Sequence, residues 1–307
     1  MIDLHTHSSA SDGSLSPAGL MEEAAKRLIS VIALTDHDSI GGIDEAAKAA
    51  RELGIGFIPG IELEILWNGD SEAIKSGGEF HLLGLGINRP SEAFKAAVEE
   101  LSRRREERNH EIVGLMNKAG FDVSYDEIMV CAIGSGAASL PATGNSIGRP
   151  HFADFMAKRK IVKNREQAFL RYLGRGRPFY IPKLGLEFEQ AAALIHESGG
   201  LAVLAHPMSL YVAWGRLPDL IKNLKERGLD GLEAWHPTAK TGSCQRLEEL
   251  GKKLGLYITA GSDFHGEARR DRKLGITAGG KKIDETFLQA IPVLGSFQPV
   301  SSTEKIS

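Results

Sequence analysis

Five short apolar runs in this chain each stop at a residue able to bind a cation. Met1-Ile2-Asp3-Leu4 reaches His5-Thr6-His7, and Val31-Ile32-Ala33-Leu34 reaches Thr35-Asp36-His37-Asp38. Phe57-Ile58-Pro59-Gly60-Ile61 reaches Glu62, Leu201-Ala202-Val203-Leu204 reaches Ala205-His206-Pro207, and Leu256-Tyr257-Ile258-Thr259-Ala260 reaches Gly261-Ser262-Asp263-Phe264-His265. Runs of this length suit buried strands. Strands that stop and present His, Asp or Glu at their carboxyl ends build the active sites of α/β barrels, because several strand ends converge on one mouth. The recurrence therefore predicts both a barrel and the face that carries its chemistry.

The segments between the runs agree. Ser16-Pro17 supplies an N-cap and a first-turn proline for an amphipathic helix over 17–28, and a second helix over about 43–53 ends at Gly54. Strands alternating with helices of this length predict parallel βαβ units and a sheet buried on both faces. From about 89 the rhythm changes: Ser91 to Lys118 reads as a highly charged helix with Phe94, Val98 and Leu101 as its apolar spacing. We read 89–185 as an inserted, mostly helical cap over the barrel mouth, and 1–88 with 186–293 as the barrel. Further helices are expected near 187–198, 217–227 and 241–253, with strands at Leu201, Gly231 and Leu256.

A chain of 307 residues can bury such a core, and 42% hydrophobic with 25% charged residues excludes collagen, coiled coil and wholesale disorder. A net charge of −3 argues against a bulk electrostatic nucleic-acid binder, which would carry a basic face. No run approaches the roughly 18 consecutive apolar residues of a membrane span, and the amino terminus enters a polar motif where a signal peptide would be apolar. A cytoplasmic protein without membrane contact is the expectation. Cys131 and Cys244 make neither a disulfide framework nor a zinc ribbon, whereas ten histidines are available as metal ligands.

His5 and His7 stand at i and i+2, so in an extended segment both rings share a face and can hold one cation. Asp12 follows in a turn. With Asp36-His37-Asp38, Glu62 and Asp263-Phe264-His265 at other strand ends, metal binding is the better account of the pair. These residues, with His81-Leu82-Leu83-Gly84, Gly148-Arg149-Pro150-His151 and Ala205-His206-Pro207, form a set that resembles the PHP (polymerase and histidinol phosphatase) superfamily of metal-dependent phosphoesterases over nearly the whole chain.

The resemblance implies a distorted (β/α)7 TIM-like barrel with up to three divalent metals at the carboxyl ends of the strands. Carried over residue by residue, it implies one metal held by His5, His7, Glu62 and Asp263. A second would be held by Glu62, His81 and His151, and a third by Asp12, His37 and His265. Imidazole and carboxylate donors without thiolate suit Mn²⁺, Fe²⁺ or Zn²⁺, and Mn²⁺ is the expectation. Metals about 3.5–4 Å apart would acidify a shared water for in-line attack on a phosphomonoester, with no covalent enzyme intermediate.

Asp263 is counted as catalytic as well as a ligand. His206, at a strand end before Pro207, is a candidate general acid or phosphate contact, and His236 has the same context and is a candidate pocket residue. Asp36 or Asp38 is expected to support an imidazole through its second nitrogen. His110 and His196 fall on helices as surface residues. Arg149, two residues before His151, has the chemistry to grip a phosphate bidentately.

The segment Tyr172 to Lys183, with Gly148 to Ala153, resembles one branch of the superfamily, which holds stand-alone bacterial 3′,5′-nucleotide bisphosphate phosphatases and 5′→3′ exonucleases on short RNA. Arg175, Arg177 and Lys183 would supply cations to a second phosphate, which can position the reacting one. The expected activity is removal of the 3′-phosphate from nucleoside 3′,5′-bisphosphates. Trimming of short RNA is a close alternative, with Phe179, Tyr180, Trp67 and Trp214 as candidate stacking rings. Hydrolysis of histidinol phosphate and a non-catalytic, metal-stabilised binding module are the others. No obligate protein partner is expected.

Overall fold

The computed structural model describes residues 1–66, 78–133, 147–182 and 184–297. Seven strands form one sheet in chain order: β1 (Ile2–Asp3), β2 (Val31–Leu34), β3 (Gly56–Glu64), β4 (His81–Leu85), β5 (Leu201–Leu204), β6 (Gly231–Trp235) and β7 (Tyr257–Ala260). Just beyond the two edge strands the chain comes back together. Thr6 bridges Phe264 in parallel, His7 N–H donates to Phe264 O at 2.9 Å, and Asp263 N–H donates to His5 O at 2.9 Å. The sheet thereby nearly closes into the barrel that the apolar runs predict, and β2, β4 and β6 are buried at every residue.

The expectation of parallel units throughout is corrected at β4, which runs antiparallel to both β3 and β5. The other neighbouring pairs are parallel. A run such as Leu82-Leu83-Gly84-Leu85 carries a strand signal but no direction, and antiparallel neighbours need no crossover between them. The reversal matters to the site. Register pairs Glu64 with His81, so the amino end of β4 lies beside the carboxyl end of β3 and delivers its histidine to the same mouth.

Helices cover the barrel. In α1 (Pro17–Lys26) Ser16 Oγ accepts from Gly19 N–H, and Leu20, Met21 and Ala24 are buried. The helix stops short of residue 28 because Leu28 takes a φ of 58°, which no right-handed helix continues. α2 (Ile43–Leu53) ends at left-handed Gly54, as expected, and packs Ala46 and Ala50 with α1 against Ile32 and Leu34. Later in the chain come α7 (Phe188–Glu197), α8 (Leu217–Glu226), α9 (Thr241–Leu254) and α10 (Thr286–Gln289).

Between β4 and β5 the described residues are helical: α3 (Glu92–Lys118), α4 (Tyr125–Ile133), α5 (Arg149–Lys158) and α6 (Arg165–Ala168), which runs on into a π turn over Phe169–Leu173. α3 is about 40 Å long at 1.5 Å per residue and is shared between two apolar cores. Its first turns bury Phe94, Val98 and Leu101 in the barrel cluster with Phe188 and Ile195, and its last turns bury Ile112, Val113 and Met116 with Phe152, Phe155 and Phe179. The helical segment also reaches the mouth directly: Arg105 pairs with Asp38 after β2, and Arg165 Nη1 donates to Ala268 O at 2.7 Å after β7. Among the described residues no helix is long and apolar enough to cross a membrane.

Candidate metal centre

Each strand places its side chains at one end of the barrel. His5 and His7 follow β1, His37 follows β2, Glu62 lies on β3, His81 opens β4, His206 and His236 follow β5 and β6, and Asp263 and His265 follow β7. Three of these strand ends take left-handed backbone at residues other than glycine: Asp38 (φ 47°), His206 (φ 27°) and Asp263 (φ 50°). Strain of this kind persists only where surrounding structure enforces it, and it concentrates at functional sites. Gly261 is required by closeness instead, since a Cβ there would lie 2.3 Å from the Cβ of His5 and 2.6 Å from Glu233 Oε1.

The donors form three overlapping groups: His5, His7 and Asp263; His7, Asp12, His37 and His265; and His37, Glu62 and His81. In the first, His5 Nε2 and His7 Nε2 stand 3.1 Å apart, Glu62 Oε2 is 3.4 and 3.3 Å from them, and Asp263 Oδ1 is 3.5 and 3.1 Å away. In the second, His265 Nε2 is 3.1 Å and His37 Nε2 4.0 Å from Asp12 Oδ1. Glu62 joins the groups. Its Oε2 is 3.0 Å from His37 Nδ1, and its Oε1 is 2.9 Å from His81 Nδ1 and 2.8 Å from His206 Nε2.

Divalent cations suit this arrangement on its own chemistry. His5 Nδ1 lies 2.9 Å from Glu233 Oε1, so the ring donates there, and its Nε2, facing Glu62 and Asp263, has a lone pair for a cation once a proton is displaced from it. Glu62 Oε2, Asp12 Oδ1 and His265 Nε2 are buried without a hydrogen-bond partner in good geometry. Buried acceptors that face one another are costly unless a cation lies between them.

The local field shows the same demand. Burial opposes ionisation of Glu62, but His37, His81 and His5 overcome it and hold the carboxyl well below its usual range. Asp12 is also held low against burial, by His265 and His37, and Asp263 by His5, His265 and Arg272. His5 is driven well above the ordinary imidazole value, because Glu233, Glu62 and Asp263 outweigh its burial. His7 goes well below it through burial and the neighbouring His265.

The residues that orient the rings differ from those expected. Neither Asp36 nor Asp38 supports an imidazole. Asp36 accepts from Ser8 N–H at 2.8 Å, Ser8 Oγ at 2.6 Å and Ser11 Oγ at 2.5 Å, which shapes the loop carrying Asp12, and burial pushes its carboxyl up to about 6. Asp38 pairs with Arg105 and accepts from Glu64 N–H at 3.0 Å. The orienting carboxylate is Glu233, fully buried on β6, which receives His5 Nδ1 on one oxygen and His206 N–H at 2.7 Å on the other. A lone acid inside the apolar run Gly231-Leu232-Glu233-Ala234-Trp235 was the signal for it. Arg272, also unforeseen, is buried and pairs with Asp263 Oδ2. Its position in a charged segment gave no sign of this.

His206 Nδ1 is 2.7 Å from Ser209 Oγ, and its Nε2 is also 3.3 Å from His81 Nδ1. The ring found beside Glu62 and His81 is thus His206, whereas His151 belongs to none of the three donor groups and accepts from Gly148 N–H at 3.0 Å through Nδ1. His236 lies 3.2 Å from Asp263 Oδ2 and 2.7 Å from Thr238 Oγ1. Arg149 sets its guanidinium 5.1 Å from the ring centre of Tyr180, and its Nη1 donates to Leu173 O at 3.4 Å. Arg175 and Arg177 are exposed, and Lys183 lies outside the described residues. Among the candidate stacking rings, Phe179 is buried, Trp214 is covered by Arg246, and Trp67 is outside the described residues. His110 and His196 are exposed, as expected.

A nearly closed barrel with a histidine and carboxylate mouth defines a class of metal-dependent phosphoesterase, and the chain belongs to the PHP domain family. The model of the PHP domain matches residues 3–130. A 5′-3′ exoribonuclease of Haemophilus influenzae is 35% identical over 263 residues, covering 86% of this chain and 89% of its own. A 3′,5′-nucleoside bisphosphate phosphatase of Chromobacterium violaceum is 32% identical, covering 90% and 91%. A solved structure from Chromobacterium violaceum, described as an amidohydrolase with bound sulfate, superposes with a TM-score of 0.81 at 29% identity over 99% of both chains.

Proposed function

We propose that the protein is a phosphoric ester hydrolase that removes the 3′-phosphate of nucleoside 3′,5′-bisphosphates. The observation that carries this reading is the nearly full-length similarity to a bisphosphate phosphatase in a chain whose strand ends bring His5, His7, Asp12, His37, Glu62, His81, Asp263 and His265 together. Up to three divalent ions, Mn²⁺ preferred, would be held by those residues. Bound there, such ions supply Lewis-acid stabilisation of phosphoryl oxygens and acidify water.

The chain's own part is positional. Glu233 holds His5 and the backbone of His206, Arg272 holds Asp263, and Ser209 holds the His206 ring by Nδ1 with its Nε2 turned toward Glu62 in the metal centre. We assign His206 to protonating or binding the phosphoryl group and His236 to the pocket wall. Arg149 would grip phosphate, and Arg175, Arg177 and Lys183 would supply cations toward a second phosphate. We place the reaction in the cytosol and infer no obligate protein partner.

A second reading is 5′→3′ trimming of short RNA, favoured by the 35% identity to an exoribonuclease. Phosphate and nucleotide release from Mn²⁺-loaded protein, with adenosine 3′,5′-bisphosphate, a 5′-phosphorylated RNA trimer and histidinol phosphate side by side, tests both. Preferred turnover of the bisphosphate is expected. Mononucleotide release from the trimer as the faster reaction would establish the nuclease instead, and turnover of histidinol phosphate alone would overturn both.

A further inference from the structure

A cavity of about 220 Å³ opens between α3 and the end of β3, lined by Asp38, Glu64, Arg104, Arg105, Arg108 and Ile181 among others. It adjoins the metal centre, because Glu64 Oε2 lies 2.8 Å from His81 Nε2. Three of its four carboxylates are engaged, Asp38 with Arg105, Glu64 with His81 and Glu107 on the exposed rim with Arg103, while the fourth, Glu111, is exposed to solvent. Arg108 is the exception. Its side chain is 6% exposed, it forms no ion pair among the described residues, its Nη2 donates only to Asn109 Oδ1 at 3.2 Å, and its Nε has no partner.

A buried guanidinium without a carboxylate is costly unless an anion completes it, and its planar fork matches a phosphate. Burial, with Arg105 and Arg149 nearby, outweighs Glu64 and Asp38, which lie beyond ion-pair distance, and lowers the Arg108 pKa to about 10, so the group remains cationic at neutral pH. α3 also holds this residue rigidly at the point where its buried face passes from one core to the other, and Asn109 beside it donates to Ile147 O at 2.7 Å.

We propose that Arg108 and the cavity it lines form the site for the second, non-reacting phosphate of a nucleotide bound at the metal centre. This rests on the bisphosphate reading and assigns that phosphate to a buried residue that the motifs did not single out. An anion held there would tether the substrate, leaving the reacting ester at the barrel mouth.

The test compares kcat/KM for adenosine 3′,5′-bisphosphate with that for adenosine 3′-monophosphate in wild type, Arg108→Gln and Arg108→Lys. The wild type is expected to prefer the bisphosphate, and Arg108→Gln to reduce that preference roughly 10- to 100-fold. Arg108→Lys should fall between, since it keeps the charge and loses the fork. Binding of adenosine 5′-monophosphate, followed by calorimetry, should weaken in the same order. Equal loss on both substrates, or an undiminished preference in either folded variant, would overturn the assignment. A wild type with no preference for the bisphosphate would defeat the substrate reading itself, and that result is visible before any variant is made. If Arg108→Gln does not fold, the Arg108→Lys ratio and its affinity for adenosine 5′-monophosphate decide the question.

Discussion

At the scale of single residues, the mouth of the barrel separates groups that carry chemistry from groups that hold the fold, and the two respond differently to substitution. His37 is partly exposed, and its ion-pair and ring partners among the described residues are other donors, so His37→Ala should change stability by no more than about 1 kcal/mol. Its turnover should fall by more than the roughly 10–100-fold that loss of an outer partner costs a metal site. Phosphate release and thermal melting, run on the same preparation, check the pair of outcomes; near-normal turnover would remove His37 from the site. Asp263 behaves otherwise. Asp263→Ala takes from Arg272 its buried partner and leaves it only the exposed Asp271 at 3.7 Å; breaking a buried pair costs up to about 3–5 kcal/mol, so loss of activity there would come with loss of stability. Glu233→Ala leaves the His5 ring and the His206 amide as buried donors without their acceptor, at about 1–3 kcal/mol each. Urea denaturation should show that loss in metal-free protein, and an unchanged midpoint would deny Glu233 its role.

At the scale of elements, α3 and the turn after β7 do the most to place the site. The Ser91 side chain caps α3 by accepting from Phe94 N–H at 3.1 Å, and Ser91→Ala should cost about 1 kcal/mol. Leu101, fully inside the barrel cluster, should cost about 2–5 kcal/mol when cut to Ala. Calorimetry on the two variants tests whether the helix is held more by packing than by its cap, and an equal loss would contradict that. After β7 the chain passes so close to His5 that no side chain fits at Gly261. Gly261→Ala should therefore destabilise by about 1–3 kcal/mol through overpacking and lower activity as His5 and Glu233 move apart. Normal activity in that variant would mean that the backbone yields where the packing says it cannot.

At the scale of the whole molecule, the donor groups bring together segments from both ends of the chain, from His5 to His265, so a cation held among them would bind the folded state in preference to the unfolded chain. Mn²⁺ at 100 times its dissociation constant should then stabilise the protein by about 2.7 kcal/mol. The expected readout is a melting temperature that rises with Mn²⁺ and returns with a chelator, with a smaller rise in His37→Ala. A melting temperature indifferent to Mn²⁺, Fe²⁺ and Zn²⁺ would show that these groups do not hold a metal in the folded chain.

Much of the barrel was legible before the fold because its signals are local. An apolar run followed by a ligand reads as a strand end, Ser16-Pro17 and Gly54 mark helix boundaries, and the histidines and acids stand in motifs short enough to read as a family resemblance. Direction and distance are not local. The reversal of β4, the Glu233 oxygen behind His5, Arg272 on Asp263, and the presence of His206 beside Glu62 where His151 was expected each depend on segments tens to hundreds of residues apart. The sequence by itself determined which strand ends would present histidines and acids to the mouth, since strand periodicity and residue type set what each run can offer. Only the tertiary structure decided which atoms face one another, because closing the barrel fixes the pairings and leaves Arg108 buried with no carboxylate in ion-pair reach among the described residues.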